Sequence, residues 1–131
     1  MAVVDASVLV AYLAGGEAAG GARAALGEQR GALWAPHLVD AEVGHVLRRS
    51  VQRGELAEAV AREALVDLAD LPLRRAGHRG LLARAWELRE NVSFYDALYV
   101  ALAERLDLPV LTLDARLSRA PGLRAEIVVV R

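Results

Sequence analysis

Four segments of this 131-residue chain set a carboxylate among apolar neighbours. Asp5 interrupts MAVVDASVLVAYL, Asp114 ends the run VLTLD, Asp96 lies within SFYDALYVALAERL, and HLVDAEVGHVL holds two acids, Asp40 and Glu42. An ionised carboxylate removed from water costs several kcal/mol unless it is paired or bound to metal. No Lys is available as a partner, because all sixteen basic residues are Arg. An Arg or a divalent cation must therefore supply the compensation. Two acidic strand ends in one sheet would also raise each other's pKa and oppose folding unless a cation sat between them. Clustered Asp and Glu, with no Cys and no well-spaced His pair, form a hard oxygen donor set suited to Mg2+ or Mn2+ rather than Zn2+.

Each acid also has a plain structural role open to it. Asp5 fits the N-cap of a helix beginning near Ser7, and Ser7 could cap that helix itself or donate its hydroxyl to orient Asp5. Ser93 and Asp96 have capping-box spacing, and Asp114 could cap a short helix through Arg116 and Leu117. On a helical wheel, however, Asp96 shares a face with Val100 and Ala103 beside Tyr99, while Glu104 and Arg105 point elsewhere. Asp40 and Glu42 flank the stripe Val39, Val43, Val46 and Leu47 on opposite margins, and periodicity leaves both open.

The remaining inventory is mainly exclusive. Without Lys there is no Schiff-base or P-loop lysine, which also counts against response-regulator receivers and haloacid-dehalogenase-like phosphatases. Without Cys there is no thiolate nucleophile, disulfide or cysteine-ligated zinc. His37 and His45 are eight apart and His78 stands alone, so surface or packing roles are expected; Trp34 and Trp86 are expected in the core. The net charge of −1 presents no strong field to a polyanion. Binding to RNA would then rest on a bound cation and on local arginines: Arg48, Arg49 and Arg53 after Glu42, and Arg116 and Arg119 after Asp114. Such arginines ordinarily form a solvated face, but beside a metal-bound phosphate they would contact a nucleic-acid backbone.

The elements that must position these acids follow from the apolar pattern. AVVDASVL and VLTLDARL are each a strand-length run that stops at an Asp and then turns helical. ALWAP (32–36), LPLRRA (71–76) and EIVVV (126–130) complete five strand candidates. Helical stretches are expected at about 17–30, 37–53, 55–69, 78–90 and 93–106, with a short turn after Asp114. Strands alternating with helices imply an α/β fold: a three-layer α/β/α sandwich on a mainly parallel five-stranded sheet. Ligands of such sheets bind outside the carboxyl ends of the strands, where Asp5 and Asp114 fall. The length fits one domain, 1–131. The apolar N-terminus lacks a basic region and carries Asp5, so export is rejected; no run is long enough to cross a bilayer, and a cytoplasmic protein is expected.

In this order the motifs resemble a family, the PIN-domain ribonucleases, and within it the VapC-type toxins of prokaryotic toxin–antitoxin pairs. VVDASVLVAYL is similar to the first family motif, APHLVDAEVGHVL to the second, and SFYDALYVALAERLDLPVLTLD to the third and fourth together. The resemblance implies that Asp5, Glu42, Asp96 and Asp114 are the catalytic, metal-holding acids. Glu42 enters because the second acid of the family follows a leucine by four residues, as Glu42 follows Leu38, which leaves Asp40 a bystander. Ser7 and Thr112 stand at positions that often support the cluster.

The implied activity is a Mg2+- or Mn2+-dependent endoribonuclease acting on structured RNA, typically tRNA or rRNA. A water acidified by the cation would attack phosphorus and leave 5′-phosphate and 3′-hydroxyl ends. Implied partners are the RNA substrate, a cognate VapB-type antitoxin and a second copy in a homodimer. The alternative is a PIN-like module that binds RNA or protein without catalysis, for which four retained acids would have no use.

Overall fold

A computed structural model describes residues 1–131. Five strands, β1 (Ala2–Val4), β2 (Leu33–Pro36), β3 (Leu73–Ala76), β4 (Val110–Thr112) and β5 (Ile127–Val129), form one sheet in the order β3-β2-β1-β4-β5, with every ladder parallel. β1 is the middle strand, and its three residues, Ala2, Val3 and Val4, are all fully buried. That is the continuous apolar pattern of a strand covered on both faces.

The helices are α1 (Ala6–Ala14), α2 (Ala19–Gly27), α3 (Leu38–Gln52), α4 (Glu58–Asp70), α5 (Leu82–Glu87), α6 (Phe94–Leu106) and α7 (Ala115–Ser118). None is long and apolar enough to cross a membrane. From β1 the chain steps outward to β2 and then β3, and α1 to α4 pack against one another on one face. It then crosses back past β1 to β4 through α5 and α6, and α6 packs on β1, β2 and β4. Parallel crossovers are right-handed, so reversing the direction of travel moves the helices to the opposite face. The connections diverge between β1 and β4, which makes the carboxyl ends of those two strands the switch point of the sheet.

Two elements depart from the pattern expected of them. The helix expected to begin near Ser7 starts at Ala6 with Asp5 as its N-cap, and its nine residues fill a stretch in which the apolar pattern marks no helical span, while β1 is only three residues long. α1 hid in the sequence because Ala6, Val8, Leu9 and Ala11 are buried, and Val10, Tyr12, Leu13 and Ala14 also pack against the core. A helix enclosed on nearly every side shows no 3.6-residue alternation.

The helix expected over 78–90 is instead a 3-10 turn (Arg79–Leu81) followed by the six-residue α5. At its start the Arg105 guanidinium lies where a Cβ on Gly80 would project, and Arg105 Nη1 donates to Gly80 O at 3.1 Å. Because α5 is so short, it turns only Ala85 inward, with Leu88 just beyond it, and Trp86 points away at 60 % exposure. Trp86 is therefore not a core residue; the Arg89 guanidinium covers its ring at 4.7 Å from the centroid. Trp34 does pack against the core, half-buried, beneath Arg74.

Leu9, fully buried on α1, carries much of this packing. Leu9→Ala should lower unfolding free energy by about 2–5 kcal/mol, measured by urea denaturation with an unchanged m-value.

Candidate active site

The switch point is where the first acid leaves the sheet. Asp5 keeps an extended backbone (φ −87°, ψ 170°), and its N–H still bonds Leu111 O of β4 at 3.1 Å. Its Oδ1 accepts the Val8 N–H at 3.2 Å and the Ser7 hydroxyl at 2.5 Å. The capping and orienting roles open to Asp5 and Ser7 are thus filled together. Ser7 Oγ also accepts the Leu113 N–H at 3.0 Å, which ties the end of β1 to the end of β4. One residue back, the buried Thr112 hydroxyl accepts the Asp114 N–H at 3.0 Å.

The other acids reach the same place from three further segments. Glu42 projects from α3, where its Oε1 accepts the Tyr99 hydroxyl of α6 at 2.6 Å. Asp96 lies in the first turn of α6, its N–H held by Ser93 Oγ at 3.1 Å. Only that half of the capping box forms, because the Asp96 carboxylate does not reach back to the Ser93 N–H and turns into the cleft. Asp114 caps α7 through the Arg116 N–H at 2.9 Å and receives both Nε and Nη2 of Arg116 at 3.2 Å.

Asp5, Ser7, Glu42, Asp96, Thr112 and Asp114 all line one cleft of about 750 Å³. Arg48, Arg49, Arg53, Arg116 and Arg119 do not line it; all five are exposed, and Arg116 alone hydrogen-bonds one of the four acids. Asp40 is outside the cleft, paired with Arg75 of β3 at 2.8 and 2.9 Å. His78 has a packing role, its Nε2 accepting the Leu38 N–H at 3.0 Å at the start of α3.

Tyr95, Tyr99, His45 and Val46 line the cleft and escaped the sequence patterns. Tyr99 was legible only as a flank of Asp96, although a tyrosine on a buried helix needs a partner for its hydroxyl. His45 and Val46 continue the Glu42 face of α3, and Val46, counted above with the core stripe, is 39 % exposed at the cleft.

Burial pushes the Asp5 carboxyl above its usual range; hydrogen bonds from Ser7, Thr112 and Val8 oppose this, and the Asp96 charge adds to it. Burial likewise raises Glu42, against the Tyr99 hydrogen bond and with the charges of Asp96 and Asp5. Asp96 is raised by burial and by Asp114, with Ser93 and Arg116 opposing. Asp114 goes the other way, lowered chiefly by its hydrogen bond from the Arg116 side chain. Tyr99 is raised by burial and by Glu42, so it is a neutral hydroxyl that donates.

The carboxylates of Asp5, Glu42 and Asp114 are held by their own local partners, and no three of the acids gather round a single point as a ready cage. The donor set nevertheless fits a hard divalent cation. It consists of carboxylate oxygens, and three of the four acids resist ionisation, chiefly through burial and to a lesser degree through one another's charge, a penalty that a cation would relieve.

The PIN domain model matches residues 2–123. The chain belongs to the PIN domain family. This PIN domain is 53 % identical to Ribonuclease VapC1 of Mycobacterium tuberculosis, over 98 % of this chain and 97 % of that protein. It is 44 % identical to Ribonuclease VapC9 of the same species, over 99 % and 98 %. These full-length relatives place it among the VapC proteins. Among solved structures it superposes on Mycobacterium tuberculosis VapC20, described as a sarcin–ricin loop cleaving toxin. The TM-score is 0.74 at 20 % identity, covering 96 % of this chain and 99 % of that one. A toxin–antitoxin complex from Klebsiella pneumoniae matches with TM-score 0.67 at 18 % identity, over 98 % and 97 %. At such identities the superpositions establish the fold.

The raised acids make a testable demand on this PIN domain. A carboxyl whose pKa is higher folded than unfolded contributes most stability when protonated. That contribution is lost as pH rises from the unfolded value, 3.8 for Asp96, through the folded one. Without divalent metal, Asp96→Asn should therefore raise Tm at pH 7 by about 2–5 °C, on the order of 1 kcal/mol after solvent screening. The gain should vanish near pH 4 in scanning calorimetry.

Proposed function

We propose that this PIN domain is the toxin of a type II toxin–antitoxin pair and a Mg2+- or Mn2+-dependent endoribonuclease that hydrolyses RNA phosphodiester bonds. The observation that carries this reading is the meeting of four carboxylates from four separate segments in one cleft at the switch point of the sheet. Its relatives bear the name ribonuclease, and a structural neighbour was solved as a toxin–antitoxin complex, which supports the same reading.

Asp5, Glu42, Asp96 and Asp114 would hold one or two divalent cations, directly or through water. When bound, the cation supplies Lewis acidity that acidifies a water and offsets charge on the phosphoryl oxygens. The residues of the chain do the positioning. Ser7 fixes the Asp5 carboxylate, and the neutral Tyr99 hydroxyl fixes that of Glu42. Preorganised groups of this kind need no reorganisation as charge develops. Arg116, on Asp114 at the cleft margin, is close enough to exchange that partner for a phosphate, and Arg119 is the C-cap of the same short helix.

On α3, Arg49 lies seven residues beyond Glu42, about 10 Å along the axis, with Arg48 beside it and Arg53 a turn further. These arginines would hold the backbone of the strand on either side of the cleft. The RNA is structured, with tRNA and rRNA the classes implied by the family resemblance, and the setting is the cytoplasm. A VapB-type antitoxin would cover the groove, and the toxin would act as a homodimer.

Asp5→Asn and Glu42→Gln should each slow RNA cleavage by about 100-fold or more in saturating Mg2+ or Mn2+, assayed on end-labelled RNA with circular dichroism as the fold control. EDTA should abolish cleavage by the parent, and Asp40→Asn should leave its rate near the parent value. An Asp5→Asn protein as fast as the parent would overturn the assignment.

A further inference from the structure

The acids do not account for the whole cleft. Its lining also includes apolar and aromatic residues, and two of these are well exposed. Tyr95 is 60 % exposed and Val46 is 39 % exposed, yet both line the cleft. Their placement follows from the bridge on its floor. Tyr99 of α6 donates to Glu42 of α3, which joins the two helices at that point. Tyr95 lies four residues before Tyr99 and Val46 four residues after Glu42, so each stands one helical turn from the bridge on the same face of its helix. His45, also exposed, stands beside Val46 on the cleft. The Tyr95 hydroxyl donates to no protein group, so packing and hydrogen bonding leave the ring unexplained.

We infer that Tyr95, with Val46 and His45 on α3, forms a slot that receives one unpaired nucleobase next to the phosphate held at the acids. The inference rests on the ribonuclease reading and deepens it, by naming the group that seats the strand. Three observations favour this occupant. Tyr95 immediately precedes Asp96, so a phosphate at the acids brings the base of an adjoining nucleotide within reach of the ring. The slot presents no carboxylate or guanidinium while its floor is acidic, which suits an aromatic base joined to a phosphate that requires a cation. The cleft, at about 750 Å³, lies in the range that accepts whole small-molecule ligands rather than a phosphate alone. An exposed aromatic face is what single-stranded RNA uses for stacking, and a base kept within a duplex cannot enter such a slot.

The test uses short unstructured oligoribonucleotides, intact or with an abasic ribose beside the cleavage position. Tyr95→Ala should raise KM on the intact strand by about tenfold or more, with the smaller part of the loss in kcat. Tyr95→Phe, which keeps the stacking face, should restore the parent KM. On the abasic strand, parent and Tyr95→Ala should converge. Equal losses on both strands, or an unchanged KM for Tyr95→Ala, would overturn the slot while leaving the ribonuclease reading intact.

If the parent cleaves no RNA, the ribonuclease reading fails, and fluorescence anisotropy of the same labelled strands still decides the slot. Affinity lost in Tyr95→Ala and regained in Tyr95→Phe supports it, and equal affinities overturn it. Sedimentation velocity closes the remaining route: a dimer lost in Tyr95→Ala with RNA affinity unchanged would assign the ring to self-association instead.

Discussion

Asp5 must be kept away from bulk water at the end of a strand that is buried on both faces, and the architecture around it follows from that demand. Its backbone completes the ladder to β4, its carboxylate starts α1, and the Ser7 hydroxyl spans from that carboxylate to the backbone of Leu113. One hydroxyl acts as donor and acceptor at once, so it fixes both the direction of the acid and the seam between β1 and β4. Disturbing the seam would shift Thr112 and Asp114 together with Asp5, because the Thr112 hydroxyl holds the Asp114 N–H on the same strand end. The floor of the cleft is thus joined to the core by hydrogen bonds rather than carried on a loop. Rigid elements hold functional groups more accurately than loops do.

Charge is compensated in two ways across this floor. On the α7 margin Arg116 neutralises Asp114, whose pKa falls. On the other side Asp5 and Glu42 accept hydroxyl donors and Asp96 turns into the cleft, no cationic side chain is bonded to any of the three, and burial, with their mutual charge behind it, raises their pKa values. Hydrogen bonds orient these carboxylates without cancelling their mutual repulsion. The protein therefore carries a standing electrostatic penalty there, the kind of local frustration that proteins keep at working sites and offset elsewhere. Thirty buried residues packed into one core are what offset it.

Much of this was legible in the sequence, for identifiable reasons. The five strands stood out as short apolar runs between turn residues, and alternation with helices gave the parallel sheet. The order and element of each acid could be read in the same way, as could the link between Ser7 and Asp5. Periodicity could not choose between Asp40 and Glu42, because they sit on equivalent margins of one stripe; the distinction in space comes from Arg75, thirty-five positions away on β3. The length of α1, though not its start at Asp5, was hidden by its burial, and Trp86 was misplaced because the helix carrying it stops after six residues. Tyr95 could not be told from its neighbours Phe94 and Tyr99 by type, since exposure is a property of the packed helix and not of the residue.

The four acids enter the cleft from positions 5, 42, 96 and 114. The strand that brings the last of them is inserted beside the first strand of the chain, not added at an edge. During synthesis, β1 to β3 can be in place while the seam is still open. The acidic floor closes only when β4 has emerged and docked against β1. A fragment that stops before β4 carries three of the acids and no complete cleft, so whatever chemistry the cleft performs depends on the docking of β4 against β1.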